Sequence, residues 1–125
     1  MNRIFQNNCL VTENNDFDGI KGRLDDQSTV RLLHASLGVV TESAEFADVI
    51  KKHVYYGKPL DKLHLKEELG DILYYCAIAA DALGIDLDSA MEANTAKLRK
   101  RYPEGFESSK AITRDVVAEY KAMEE

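Results

Sequence analysis

The stretch Glu42–Asp71, ESAEFADVIKKHVYYGKPLDKLHLKEELGD, decides the fold. Its middle, Tyr56-Gly57-Lys58-Pro59, is a helix stop, because Gly accepts the left-handed cap that ends a helix and Pro cannot continue one. On either side, apolar residues recur at helical spacing. The upstream helix reaches back to a cap at Asp26 or Ser28 and runs to about Tyr55. Downstream, Asp61 caps a second helix that runs to Leu83 and stops at Gly84. Asp86 caps a third, from about Leu87 to Tyr102, and Tyr102-Pro103-Glu104-Gly105 breaks the chain again. A last stretch, about Ser109 to Met123, is weakly amphipathic through Ile112, Val116 and Tyr120. The first 25 residues are polar, with Asn7-Asn8 and Asn14-Asn15-Asp16 as turn signals, and read as loop or short irregular helix. The expectation is an all-α fold, a compact helical bundle with short connections and antiparallel neighbours. It divides into an irregular segment 1–25, a helical domain 26–106 and a helical tail 107–125 packed on the domain or on a partner subunit.

Composition agrees. The 125 residues suit one domain, and 45% hydrophobic with 30% charged residues is an ordinary globular mixture. Two Pro and seven Gly favour helices over a turn-rich β fold. A net charge of -6 argues against nucleic acid as a main partner, since affinity there rests on neutralising phosphates with a basic surface. Cys9 and Cys76 fit no metal or redox spacing, and Cys76, in an apolar helical segment, reads as a buried inert thiol. The N-terminus, MNRIFQNNCLVTENND, lacks a long apolar run, so neither a signal peptide nor a membrane anchor is expected, and the expected location is the cytoplasm.

The first long helix is apolar on two sides. Leu33, Leu37, Val40, Ala44 and Ala47 form one stripe; Leu32, Val39, Phe46 and Ile50 form another, well rotated from it. Such a helix is usually buried from two sides. Either a second subunit or the terminal helix covers the extra face, and a homodimer or homotetramer is the expectation.

Glu42 and Glu45 lie three apart on the first long helix, and Glu68 and Asp71 repeat that spacing on the second. Both pairs are continued by apolar or small residues: Gly38 and Val49 on one helix, Tyr75, Ile78 and Ala82 on the other. If antiparallel packing brings the four acids together, they repel when partly desolvated, so either their pKa values rise or a cation neutralises them. A hard ion with oxygen ligands fits, Mg²⁺ first and Mn²⁺ as a substitute. The absence of Cys and His beside these acids argues against zinc. A single Glu-x-x-Glu among 22 acidic residues means little; two pairs on consecutive helices mean more. On the third helix Asn94, Lys97 and Arg101 share one face, a cationic stripe suited to phosphates, or else a solvated basic end that complements the helix dipole.

Glu42-Ser43-Ala44-Glu45, then 22 residues, then Glu68-Leu69-Gly70-Asp71, resembles the ExxE…ExxD signature of the MazG-like all-α NTP pyrophosphatase superfamily. Asn94-Thr95-Ala96-Lys97-Leu98, with Arg101-Tyr102-Pro103, resembles the segment that ends that domain, and the likeness runs from about Leu32 to Phe106. The resemblance implies a helical bundle completed by oligomerisation and hydrolysis of NTPs or dNTPs to the monophosphate and diphosphate. It implies Mg²⁺ held by Glu42, Glu45, Glu68 and Asp71, and substrate contacts from Asn94 and Lys97, with Arg101 a weaker transfer. It implies sites near subunit interfaces. Related branches include phosphoribosyl-ATP pyrophosphohydrolase, dUTPases and dCTPases.

The expected chemistry is metal-assisted hydrolysis of a phosphoanhydride, with Glu42 or Glu45 accepting the water's proton and Lys97 and Arg101 stabilising phosphate charge. Tyr55, Tyr56, Tyr75, Phe17 and His34 are candidate base contacts, though aromatics at helical spacing are more often core. Lys58 is an open candidate for phosphate, whereas Lys51 and Lys52 read as complements to the helix dipole. Two other classes compete. A di-iron bundle would need Glu-x-x-His pairs, and here His64 precedes Glu68 by four residues instead. A nucleotide-binding or structural helical oligomer would keep the bundle without turnover.

Overall fold

The computed structural model describes residues 3–125, and among them every regular element is a helix. The order is α1 (Arg3–Leu10), α2 (Phe17–Leu24), α3 (Gln27–Tyr56), α4 (Lys62–Leu83), α5 (Leu87–Arg101), α6 (Ser108–Ile112) and α7 (Val116–Glu124). Aspartates start most of them. Asp26 accepts from the Thr29 amide at 2.7 Å, Asp61 from His64 at 3.0 Å, Asp86 from Asp88 at 3.0 Å and Asp115 from Ala118 at 3.1 Å. Each carboxylate satisfies an amide that the first helical turn leaves unpaired. Gly57 and Gly84 close α3 and α4 at φ 70° and 68°, where a Cβ would be strained.

Two helical hairpins make up most of the molecule. In the first, the turn after Gly57 folds α4 back along α3, so that Arg31 near the start of α3 pairs with Asp81 near the end of α4 at 2.6 Å. Midway, the Tyr75 ring lies so closely over Gly38 that it fills the place a Cβ would take. In the second hairpin, α7 packs along α5. The two hairpins meet only lightly, between α4 and α5, and α2 rests on α3.

Two expectations are corrected. Residues 1 and 2 of the N-terminal segment lie outside the described residues; from residue 3 on it carries two regular helices, α1 and α2, with Asp16 capping α2 through the Gly19 amide at 3.1 Å. The C-terminal stretch is two helices rather than one, because Thr113-Arg114-Asp115 leaves the helical path and Asp115 restarts it as the cap of α7.

The two apolar faces of α3 have different fates. Leu32, Val39, Phe46 and Ile50 are half-buried, whereas Leu33, Leu37, Val40, Ala44 and Ala47 are all exposed. The terminal helix does not cover them, being packed on α5 instead. Among the described residues, the buried apolar side chains are Ala35, Val49 and Ala80. The accessible surface is 10130 Å², about half again the ~6,700 Å² of a compact monomer of this mass. Among the described residues no helix is long and apolar enough to cross a membrane.

Candidate metal and nucleotide site

The antiparallel register of α3 and α4 brings the motif acids together. Carboxylate oxygens of Glu42, Glu68 and Asp71 lie within 4.8 Å of one another, and Glu45, His64 and Glu68 form a second such group sharing Glu68. Glu68 is the centre, 3% exposed; Glu42 is half-buried, and Glu45 and Asp71 are open to solvent. Glu68 Oε1 faces His64 Nε2 at 2.7 Å, one turn earlier on α4. Glu68 Oε2 is buried and meets no hydrogen-bond donor. A carboxylate oxygen deprived of both water and donor is costly to keep ionised. Partial burial and the neighbouring Glu45, Asp71 and Glu68 carboxylates push Glu42 above the usual carboxylate range. An orphaned oxygen among an all-oxygen donor set fits a hard divalent cation, which would satisfy Oε2 and offset the repulsion together.

His64 corrects one expectation: a histidine does stand beside these acids. The signal was its place four residues before Glu68, which puts both on one helix face.

Among the described residues, no ion pair joins the cationic residues of α5 to the four motif acids. Asn94 is exposed, and Lys97 lines a groove against α7 with Arg114, Val116 and Tyr120. Arg101, expected to face phosphate, instead donates from Nε and Nη2 to Glu119, both at 2.8 Å. Arg114 Nη2 joins them at 2.6 Å. These contacts hold Glu119 down at about 2. Glu119 does not stand out in the sequence, since Arg101, its partner, lies 18 residues earlier on the other arm of the hairpin, and Arg114 joins them from the turn.

Lys51 and Lys52 both pair with Asp48, at 2.6 and 2.5 Å, rather than standing ready for substrate. Lys58 sits in the α3–α4 turn, where its carbonyl accepts from His53 Nδ1 at 2.7 Å. A cavity of about 540 Å³ opens there, lined by Val49, Lys52, Lys58, Pro59, Leu60, Asp61 and His64, the last of which faces Glu68. Tyr75 and His34 meet edge to face, with ring centres 5.5 Å apart, and serve packing between α3 and α4. Phe17, Tyr55 and Tyr56 are exposed. Cys76 is half-buried rather than fully enclosed.

The model of the MazG nucleotide pyrophosphohydrolase domain matches residues 31–106, well over half of the chain. The chain belongs to the MazG family. The matched span of this MazG chain covers nearly all of α3, with α4, α5 and the Tyr102–Phe106 turn, so both acid pairs and the α5 cations fall inside the domain. No curated protein matches the chain, and no solved structure does.

Proposed function

We propose that this MazG protein is a Mg²⁺-dependent nucleoside triphosphate pyrophosphohydrolase that converts a (d)NTP and water to the (d)NMP and diphosphate, working in the cytoplasm as a homodimer or homotetramer. The observation that carries the reading is the buried, unpartnered Oε2 of Glu68 beside Glu42 and Asp71. Glu42, Glu45, Glu68 and Asp71 are the residues that would hold the ion. Bound there, Mg²⁺ would neutralise phosphate charge and make water a better nucleophile. Glu42 or Glu45, on α3, accepts the proton of the attacking water. The domain boundaries follow the same logic, with 26–106 catalytic and α6–α7 a support for α5.

Asn94 and Lys97 bind the phosphates of a neighbouring subunit's substrate. Two observations support this. Within one chain α5 turns toward α7, and the outer face of α3 stays uncovered. The surface in excess of a compact monomer, about 3,400 Å², is several times the ~800 Å² that a standard interface takes from each partner. That scale suits an obligate oligomer.

The test is a panel of the eight common NTPs and dNTPs with Mg²⁺, products resolved by ion-exchange chromatography. Monophosphate and diphosphate in equal amounts support the reading. Release of inorganic phosphate would mean cleavage at a different phosphoanhydride bond and overturn the reading, and no release from any nucleotide favours a binding protein without turnover.

A further inference from the structure

The carboxylate group has a nitrogen edge. His64 projects from α4 toward Glu68 with Nε2 and Oε1 2.7 Å apart, and Glu45 on α3 brings an oxygen within 4.8 Å of both. The imidazole is half-exposed, so the edge is reachable from solvent through the turn cavity beside Lys58. Glu45 carries no ion pair among the described residues. Glu68, nine-tenths buried and more, lends Oε1 to this edge, while its other oxygen, Oε2, meets no donor. The donor set is thus two carboxylates and one imidazole. Mg²⁺ gains little from imidazole, preferring oxygen and its own waters, whereas Mn²⁺, Co²⁺ and Zn²⁺ take nitrogen readily.

We propose that Glu45, His64 and Glu68 form a second divalent-ion site, sharing Glu45 and Glu68 with the four acids of the Mg²⁺ set and selecting a first-row transition ion over Mg²⁺. The ion takes the place of the proton between His64 Nε2 and Glu68 Oε1. The proposal rests on the reading that the acids hold a cation, and it goes beyond it in assigning a nitrogen ligand and a different metal class.

Co²⁺ is the probe, since its visible absorption shifts and changes intensity when protein ligands replace its waters. The full chain, stripped with chelator and then saturated with Mg²⁺, is titrated with Co²⁺ and followed by absorption and calorimetry. One Co²⁺ per chain is expected to bind alongside Mg²⁺, with a visible band. In His64→Gln the amide keeps a donor for Glu68 Oε1 but no imidazole. Its Co²⁺ affinity should fall by about 10- to 100-fold while Mg²⁺ binding is kept. Glu45→Gln, at an exposed position, serves as a second variant and should lose the band too. Unchanged Co²⁺ binding in both variants overturns the proposal, as does complete displacement of Co²⁺ by Mg²⁺ from the unaltered protein. The latter results leave His64 as a residue that only positions Glu68. Diphosphate release with Mg²⁺ but no separate Co²⁺ uptake sinks the second site alone. Co²⁺ uptake without diphosphate release sinks the hydrolase reading alone.

Discussion

Arg101 and Glu119 clasp each other across the second hairpin, the guanidinium Nε and Nη2 each 2.8 Å from a carboxylate oxygen. Glu119 is 3% exposed, and Arg114 closes over it from the α6–α7 turn. This bidentate contact locks α7 onto α5 and fixes the helix that bears Asn94 and Lys97. Removing one partner of a buried pair leaves the other charge without compensation. Glu119→Gln should therefore lower Tm by several degrees, read by thermal unfolding, and Arg101→Lys should do the same by losing the planar fork. Mg²⁺ binding at α3–α4 should survive both changes, which calorimetry checks.

The same pair sets a pH dependence. Arg101 and Arg114 hold Glu119 at about 2 against an ordinary 4.5, and Lys51 with Lys52 hold Asp48 at about 2 against 3.8. Groups whose pKa is lower in the folded state contribute stability that is complete above their unfolded values. It is lost as pH falls toward 2, where the folded chain must also take up the protons. Urea unfolding of the unaltered protein and Glu119→Gln should show a stability gap that is constant from pH 7 to about 5 and closes between about 4.5 and 2. A gap independent of pH would mean that the carboxylate contributes through shape rather than charge.

Helix boundaries were legible in the sequence wherever a side chain met its own backbone: Asp26, Asp61 and Asp86 cap the helices read from them, and Gly57 and Gly84 close α3 and α4. The convergence of the acids was legible for a related reason, since a short turn forces α4 back along α3. Long-range partners were not. The i, i+7 spacing placed Arg101 on a face with Lys97 and Asn94, but nothing local pointed to Glu119, 18 residues on. The break before Asp115 lay hidden in a stretch whose apolar period is weak, and α1 and α2 are eight-residue helices whose composition is that of loops. Helices that short draw little stability from propensity alone.

Glu68→Gln separates a metal ligand from a structural residue. Its amide can accept from His64 and donate to the carboxylates facing the orphaned oxygen, so the metal-free variant should unfold no lower than the unaltered protein. Added Mg²⁺ raises stability by about 2.7 kcal/mol at a hundred times Kd in a protein that binds it, and that shift should vanish in the variant. Turnover should drop by more than about 100-fold, the upper range for groups that merely support a ligand. Thermal unfolding with and without Mg²⁺, alongside diphosphate release, measures all three.

Gly38 is needed for contact rather than conformation. Its Cα faces the Tyr75 ring, which is itself held edge-on by His34 and Tyr74. Gly38→Ala would drive the ring outward and wedge α3 from α4 one turn from Glu42. Overpacking of this kind costs about 1–3 kcal/mol. Urea unfolding should show that loss, and Tyr75→Ala in the same background should recover part of it by removing the obstruction.

A shared site makes a prediction that no single-chain arrangement reproduces. If the acids of one subunit work with Lys97 of its neighbour, Glu68→Gln and Lys97→Ala chains are each inactive alone, yet complementary when mixed. In a random dimer population half the molecules are heterodimers, each with one site that keeps both the acids and the lysine. Unfolding the two variants together and refolding them should therefore restore about a quarter of the unaltered activity for a two-fold assembly. Acids and lysine drawn from one chain would give none at any mixing ratio. Light scattering on the same samples should find no monomer, because the exposed Leu33, Leu37 and Val40 face of α3 demands a cover. Activity that returns on mixing would thus locate α5 of one subunit over the α3–α4 acids of another.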